Sequence, residues 1–193
     1  MNFLLGQEGI DYHSTGFQVS TQGQNNDRLT NLLSGTRAIS WPDSNSAYSY
    51  LSFFFRGEYN YKELYYAEVA ARADASSRFG KDHRWGMFWS LGFMWNIKNE
   101  AFLKDIEWLT NAQIKLSTGT SGNSEIPYYD HLALVSGNAN YNDEAGIYPA
   151  QSGNEELSWE QTWANNSGLS LGFFNRVNLN VDFYHKKTNN MWR

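Results

Sequence analysis

The sequence predicts an all-β protein, an antiparallel meander of about seven strands. Three observations point there. The stretch "YYAEVAARAD", residues 65–74, sets Tyr65, Ala67, Val69 and Ala71 against Glu68, Arg72 and Asp74, the period-two alternation of a strand with two unlike faces. Aromatic residues make up 17% of the 193 residues, with 8 Trp and 12 Tyr, while the mean hydropathy is −0.60. So many amphipathic rings in so polar a chain indicate strands and wet loops rather than a helical bundle. Alternating segments recur along the chain, and the connections between them are alternately long and short.

Alternation and ring content place the extended segments at about 2–20, 47–60, 64–75, 84–96, 110–119, 157–172 and 176–188. If neighbours run antiparallel, the connections at 21–46, 76–83 and 120–156 share one end of the sheet, and those at 61–63, 97–109 and 173–175 share the other. The first set holds the long segments rich in Asn, Ser and Gly. Short turns at one end and long loops at the other are the asymmetry of bacterial outer-membrane barrels.

The strand faces agree with that asymmetry. In "WGMFWSLGFMW", Trp85, Met87, Trp89, Leu91, Phe93 and Trp95 share one face, and Gly86, Phe88, Ser90, Gly92 and Met94 share the other. Trp at both ends of an apolar row suits an aromatic girdle. In "RVNLNVDFYHKK", Val177, Leu179, Val181 and Phe183 alternate with Asn178, Asn180, Asp182 and Tyr184. A soluble β-sandwich that packs its apolar faces on a second sheet has the same alternation, so periodicity leaves lipid and protein open as the covering layer. One short helix is expected near 99–106, in "NEAFLKDIEWL", with Asn99 as N-cap and Phe102, Ile106 and Leu109 at helical spacing.

Several functions are disfavoured. A net charge of −5 lacks the basic patch of a nucleic-acid-binding surface. With no cysteine there is no disulfide framework and no thiolate site. His13, His83, His131 and His185 have no metal-ligand spacing, and no phosphate loop, dinucleotide fingerprint or nucleophile elbow is present. The acidic pairs Asp143–Glu144 and Glu155–Glu156 define no acid/base constellation. No enzyme activity and no cofactor are expected. The opening residues "MNFLLGQEGIDYH" lack the basic start and apolar centre of a secretory signal.

The long connections carry Trp41, Tyr128, Tyr129, His131, Tyr141 and Tyr148 among Asn and Ser. Rings beside short polar groups can stack on sugars or grip peptides, and they can equally hold the loops together. These six are the ligand candidates. On this residue reading alone, a soluble sandwich that binds carbohydrate through loop rings is the alternative function.

"YYAEVAARADASSRFG" resembles a run in the SusC/RagA group of TonB-linked outer-membrane transporters of Bacteroidetes. There a ring-rich strand ends in Arg-x-Asp-Gly-Ser-Ser-Arg-Phe-Gly, matched here by Asp74, Ser76, Ser77, Arg78, Phe79 and Gly80, with Ala75 in place of the usual Gly. Trp85, Gly86, Phe88, Ser90 and Trp95 resemble the next strand's pattern. Gly119, Ser121, Gly122 and Asn123 are similar to a later strand end, and Trp159, Glu160, Thr162, Gly168, Gly172, Phe173, Asp182, Tyr184, Lys186, Lys187 and Thr188 to the pair that follows. The resemblance is dense from about residue 50 onward.

This resemblance implies that residues 1–193 are one section of a large transmembrane β-barrel domain, without plug, TonB-contacting segment or signal. For the full-length parent it implies an outer-membrane location, a SusD-like surface lipoprotein and TonB as partners, contact with outer-membrane lipid, and import of oligosaccharides or peptides. The section alone is not expected to transport. It places Tyr65, Ala67, Val69 and Ala71 against lipid and makes Glu68, Arg72 and Asp74 lumen-facing. Open edges on the first and last strands would favour self-association or closure into a smaller sheet.

Overall fold

A computed structural model describes residues 1–28, 30–40, 43–142 and 144–191, apart from the side chains of Ser40, Asn138 and Tyr141. Among the described residues eleven strands run in the order β1 (Asn2–Phe17), β2 (Ser20–Gln22), β3 (Arg37–Ser40), β4 (Asp43–Tyr61), β5 (Tyr65–Ser76), β6 (Trp85–Asn96), β7 (Leu109–Asn123), β8 (Leu134–Tyr141), β9 (Glu144–Gln151), β10 (Glu160–Phe173) and β11 (Val177–Asn189). Seven of them form one sheet in the order β1-β4-β5-β6-β7-β10-β11, and every neighbouring pair is antiparallel. This is the expected meander. The two remaining pairs, β2–β3 and β8–β9, are separate two-stranded hairpins inside the long connections.

The register sorts the side chains into two faces. Across β4, β5 and β6, Phe55, Ala71 and Trp89 lie in one row, as do Gly57, Val69 and Leu91, and Tyr61, Tyr65 and Trp95. The alternate rows hold Ser52, Asp74 and Gly86, and Glu58, Glu68 and Gly92. Because the side-chain period is two, one register fixes every side chain's face. Phe183 on β11 is 70% exposed, and Leu5, Phe53, Met87, Leu91, Leu116, Val177 and Leu179 are also exposed. Among the described residues no second sheet covers this apolar face, so the β-sandwich alternative does not hold. No helix of the described residues is long and apolar enough to cross a membrane, which says nothing about strands.

The ends of the sheet differ as expected. At one end, residues 62–64 and 174–176 make three-residue turns in which Lys62, Glu63, Phe174 and Asn175 are left-handed. That backbone costs a side-chain-bearing residue roughly 1–2 kcal/mol. Hydrogen bonds offset it, one local and one long-range: the Glu63 amide donates to Asn60 Oδ1 at 3.0 Å, and the Phe174 amide to the Trp108 carbonyl at 2.8 Å. Ala75 is in strand and absent from the left-handed residues, so the motif's usual glycine is dispensable here.

Three expectations need adjustment. The helix near 99–106 is a single 3₁₀ turn at Ile97–Asn99 followed by hydrogen-bonded turns. Phe102 is 67% exposed, and Leu109 opens β7, so the apolar spacing does not describe one helical face. Lys98 Nζ instead donates to the carbonyls of Leu103, Lys104 and Ile106 at 2.7–3.0 Å. Secondly, β10 begins at Glu160 rather than at 157, because Leu157 and Trp159 turn inward to a buried cluster. Thirdly, β1 ends at Phe17, while β4 starts at Asp43 and β7 runs to Asn123, so the sheet extends into both long connections.

Candidate functional site

Two groups stand on the polar face. The first is a ladder of charge across β1, β4 and β5. Arg56 pairs with Glu58 at 2.8 Å and Glu68 at 3.0 Å. Arg72 pairs with Asp74 at 2.6 Å and Glu8 at 3.3 Å, donates to Ser52 Oγ at 3.0 Å, and lies over the Phe54 ring. Glu68, Arg72 and Asp74 thus share one face, opposite the apolar rows, and each has an ionic partner. Asp74 is only 8% exposed, so its charge depends on Arg72 for compensation. Next to this ladder the polar face holds two hollows of about 460 Å³ each, one lined by Asn2, Glu58, Asn60, Tyr66, Glu68 and Lys115, the other by Arg56, Arg72, Asp74, Phe88 and Ser90 among others.

The second group lies at the long-loop end and is built by the motif after β5. Ser77 exchanges two hydrogen bonds with Ser49: its amide donates to the Ser49 carbonyl at 3.0 Å, and the Ser49 amide donates to its Oγ at 2.9 Å. Ser76, 1% exposed, accepts the Arg78 amide on Oγ. This bends the chain so that Phe79, 0% exposed, enters a cluster with Phe88, Leu157 and Trp159, its ring 5.0 Å from that of Trp159. Gly80 then passes against the 155 backbone, where a Cβ would sit 1.9 Å from the Glu155 carbonyl oxygen. The motif is therefore an architectural corner that joins β5 to the segment before β10.

Arg78 is the charged centre of this corner. Its guanidinium lies 4.3 Å from the Tyr48 ring and 4.7 Å from the Tyr128 ring, while Nη1 donates to the carbonyls of Ser124 and Ile126 at 3.2 and 3.4 Å. Tyr48 stacks on Tyr12 at 4.9 Å and on Tyr128 at 5.2 Å. Tyr50 hydrogen-bonds Ser124.

The ligand candidates divide accordingly. Tyr128 and Tyr129 meet edge to face at 6.4 Å, and the Tyr129 hydroxyl accepts the Ala47 amide at 2.9 Å. His131 lines a cavity of about 680 Å³ with residues 80–84, Gly153, Glu155 and Glu156, and its Nδ1 is buried without a hydrogen-bond partner among the described residues. Tyr148 is exposed on β9 opposite Ser136, and no ring contact joins it to Tyr128 among the described residues. Trp41, the side chain of Tyr141, and Asp143 of the Asp143–Glu144 pair lie outside the described residues. Sequence reasoning missed Tyr12, Tyr48 and Tyr50 as members of the ring group. Tyr48 and Tyr50 share a face at period two, but nothing in the sequence ties Tyr12 to Tyr128. No three of His, Cys, Asp and Glu come together to hold a metal ion among the described residues. What the two groups offer is stacking, hydrogen bonding and fixed charge.

No protein-family model matches the chain. It is 32% identical over 202 residues to the TonB-dependent receptor SusC of Bacteroides thetaiotaomicron, a match that covers 98% of this chain and 19% of the relative. To the TonB-dependent receptor P39 of Formosa agariphila it is 35% identical over 141 residues, 72% of this chain and 14% of the relative. Among solved structures, the RagAB peptide transporter superposes with a TM-score of 0.87 at 39% identity, covering 98% of this chain and 21% of that one. The RagAB peptide importer in its open-open state gives 0.85 at 38% identity. The chain therefore spans about a fifth or less of the length of the proteins it matches. On these similarities and on its seven-stranded sheet, the chain belongs to the SusC/RagA group of TonB-dependent receptors and corresponds to a section of their β-barrel.

Proposed function

We propose that residues 1–193 are a stretch of barrel wall in an outer-membrane nutrient importer. The apolar face, with Tyr65, Ala67, Val69 and Ala71, meets lipid. The polar face, with Glu68, Arg72 and Asp74, meets the lumen. One observation carries the reading: a broad apolar face lies uncovered on a sheet whose other face is charged and ion-paired. Trp85 and Trp95 bracket that face on β6. At ~3.3 Å per residue they are about 33 Å apart along the strand, or roughly 23–25 Å along the membrane normal at a ~45° tilt, close to the height of a barrel's apolar band.

On this reading the chain performs no covalent chemistry. The parent works with a SusD-like surface lipoprotein, draws energy from TonB, and takes up an oligosaccharide or a peptide. Tyr128, Tyr129, His131 and Tyr148 belong to its loop-end surface, and Trp41 and Tyr141 are kept as ligand candidates on their sequence alone. Disrupting the gene in the source host tests the proposal. Growth on at least one defined oligosaccharide or peptide should be lost and restored by complementation, and a surface lipoprotein should co-purify with the tagged receptor. Unchanged growth across both panels, with no lipoprotein recovered, would refute the reading.

A further inference from the structure

The connection between β7 and β10, residues 124–159, has two unlike parts. Its outer part is the β8–β9 hairpin, with Val135, Ile147 and Tyr148 exposed. Its base is strapped to the sheet at many points, and three of them are made by one side chain. Arg78 holds the carbonyls on either side of Glu125, and its cation lies against both Tyr48 of the sheet and Tyr128 of the connection, beside their stack. Around it, Tyr50 bonds Ser124, and Tyr129 takes the Ala47 amide. Gln151 Nε2 donates to the carbonyls of Tyr129 and Leu132 at 3.0 Å, tying the base to the end of β9.

We infer that Arg78 is a latch: it positions Tyr128 on the Tyr12–Tyr48 stack, and releasing it frees the base of this connection from the wall while the strands stay paired. A guanidinium suits the task, because its delocalised cation can lie against two rings while its N–H groups donate to two carbonyls, a combination that a compact ammonium matches less well. Nε of Arg78 is buried with no hydrogen-bond partner among the described residues. A cation kept there with an unpaired donor is held by the rings and the carbonyls it bridges. The inference concerns a loop–wall contact and stands whatever the parent carries.

The connection contains no Lys or Arg, but Glu125 lies at the latch and Glu144 at the hairpin tip. A glutamyl endopeptidase applied to outer-membrane preparations from the host that makes the protein therefore reads both places in one digest. Cleavage after Glu144 serves as the internal reference. In the unaltered protein Glu125 should be cut far more slowly than Glu144. Arg78→Ala and Tyr128→Ala should each accelerate cleavage at Glu125 tenfold or more relative to Glu144, the double variant should be no faster than either single, and Tyr128→Phe, which keeps the ring, should restore protection. The latch is overturned if either single variant accelerates cleavage less than tenfold, if the two effects multiply, if Tyr128→Phe fails to protect, or if the unaltered protein is cut equally at both sites. Should Arg78→Ala fail to assemble, Arg78→Lys takes its place: it keeps the charge but not the guanidinium and should also accelerate cleavage at Glu125 tenfold or more, and unchanged protection would overturn the latch.

Discussion

The two faces of this sheet carry aromatic residues for opposite purposes. On the apolar face Tyr65, Phe93 and Trp95 stack along the surface, the first two exposed and Trp95 half-buried, and Glu100 accepts both the Tyr65 hydroxyl at 2.7 Å and the Trp95 indole at 3.0 Å. There the ring bodies lie on the apolar surface, and the polar tips of Tyr65 and Trp95 turn to the short-turn end, as suits a boundary between hydrocarbon and water. On the polar face Phe79, Phe88 and Trp159 are buried, and Arg78 joins Tyr48 to Tyr128. Rings of the first kind need an outside solvent; rings of the second kind make a small core of their own. The difference teaches that the rings at the short-turn end of the apolar face mark a boundary, whereas the buried rings of the corner are fastenings.

Substitutions should respond to that difference, the largest effects first. Phe79→Ala empties a fully buried site and is expected to cost about 3–5 kcal/mol, seen as loss of heat-resistant folded protein and of the corner's protease resistance. Leu91→Arg, near the middle of the apolar row, is expected to cost about 2–4 kcal/mol if lipid covers that face, while Asn180→Arg on the polar face should stay within ~0.5 kcal/mol. Equal costs for the two would erase the distinction between faces. Arg72→Ala strands the nearly buried Asp74 and is expected to cost about 1–3 kcal/mol in denaturant titration of the membrane-inserted protein, more than Arg56→Ala, whose half-exposed pairs contribute about 0–1 kcal/mol. Glu63→Gly in the left-handed turn has a small effect of the opposite sign and should stabilise by about 0.5–1 kcal/mol; a loss would mean that the Glu63 side chain outweighs the backbone strain.

The seven long strands were legible in the sequence because each borders two different surroundings, and the alternation of Val177, Leu179, Val181 and Phe183 with Asn178, Asn180, Asp182 and Tyr184 records that directly. The hairpins β2–β3 and β8–β9 were not. They are short, and exposed Val135 and Ile147 stand among Asn, Gly and Ser, so no apolar period emerges. Phe102, Ile106 and Leu109 mimic a helix because their spacing was counted across a turn and a strand start, and a lysine that binds three carbonyls leaves no periodic trace. Glu68, Arg72 and Asp74 could be assigned one face by parity alone. The Arg78 group could not be assembled that way, since Tyr12, Tyr48, Arg78 and Tyr128 come from four separate segments and meet only through strand register and the corner at 76–80. The resemblance marked Arg78 and Phe79 as motif residues, yet their stacking and burial belong to the folded chain.

β11 offers the sharpest examination of the account, because its consecutive residues alternate between the faces. Nitroxide labels placed singly at Leu179, Asn180, Phe183 and Tyr184 of the membrane-embedded receptor can be compared by power saturation with oxygen and with a water-soluble nickel chelate. Leu179 and Phe183 should be relaxed preferentially by oxygen, Asn180 and Tyr184 by nickel. Uniform access of the nickel chelate to all four, or protection of Leu179 and Phe183 from both reagents, would contradict a lipid-facing wall.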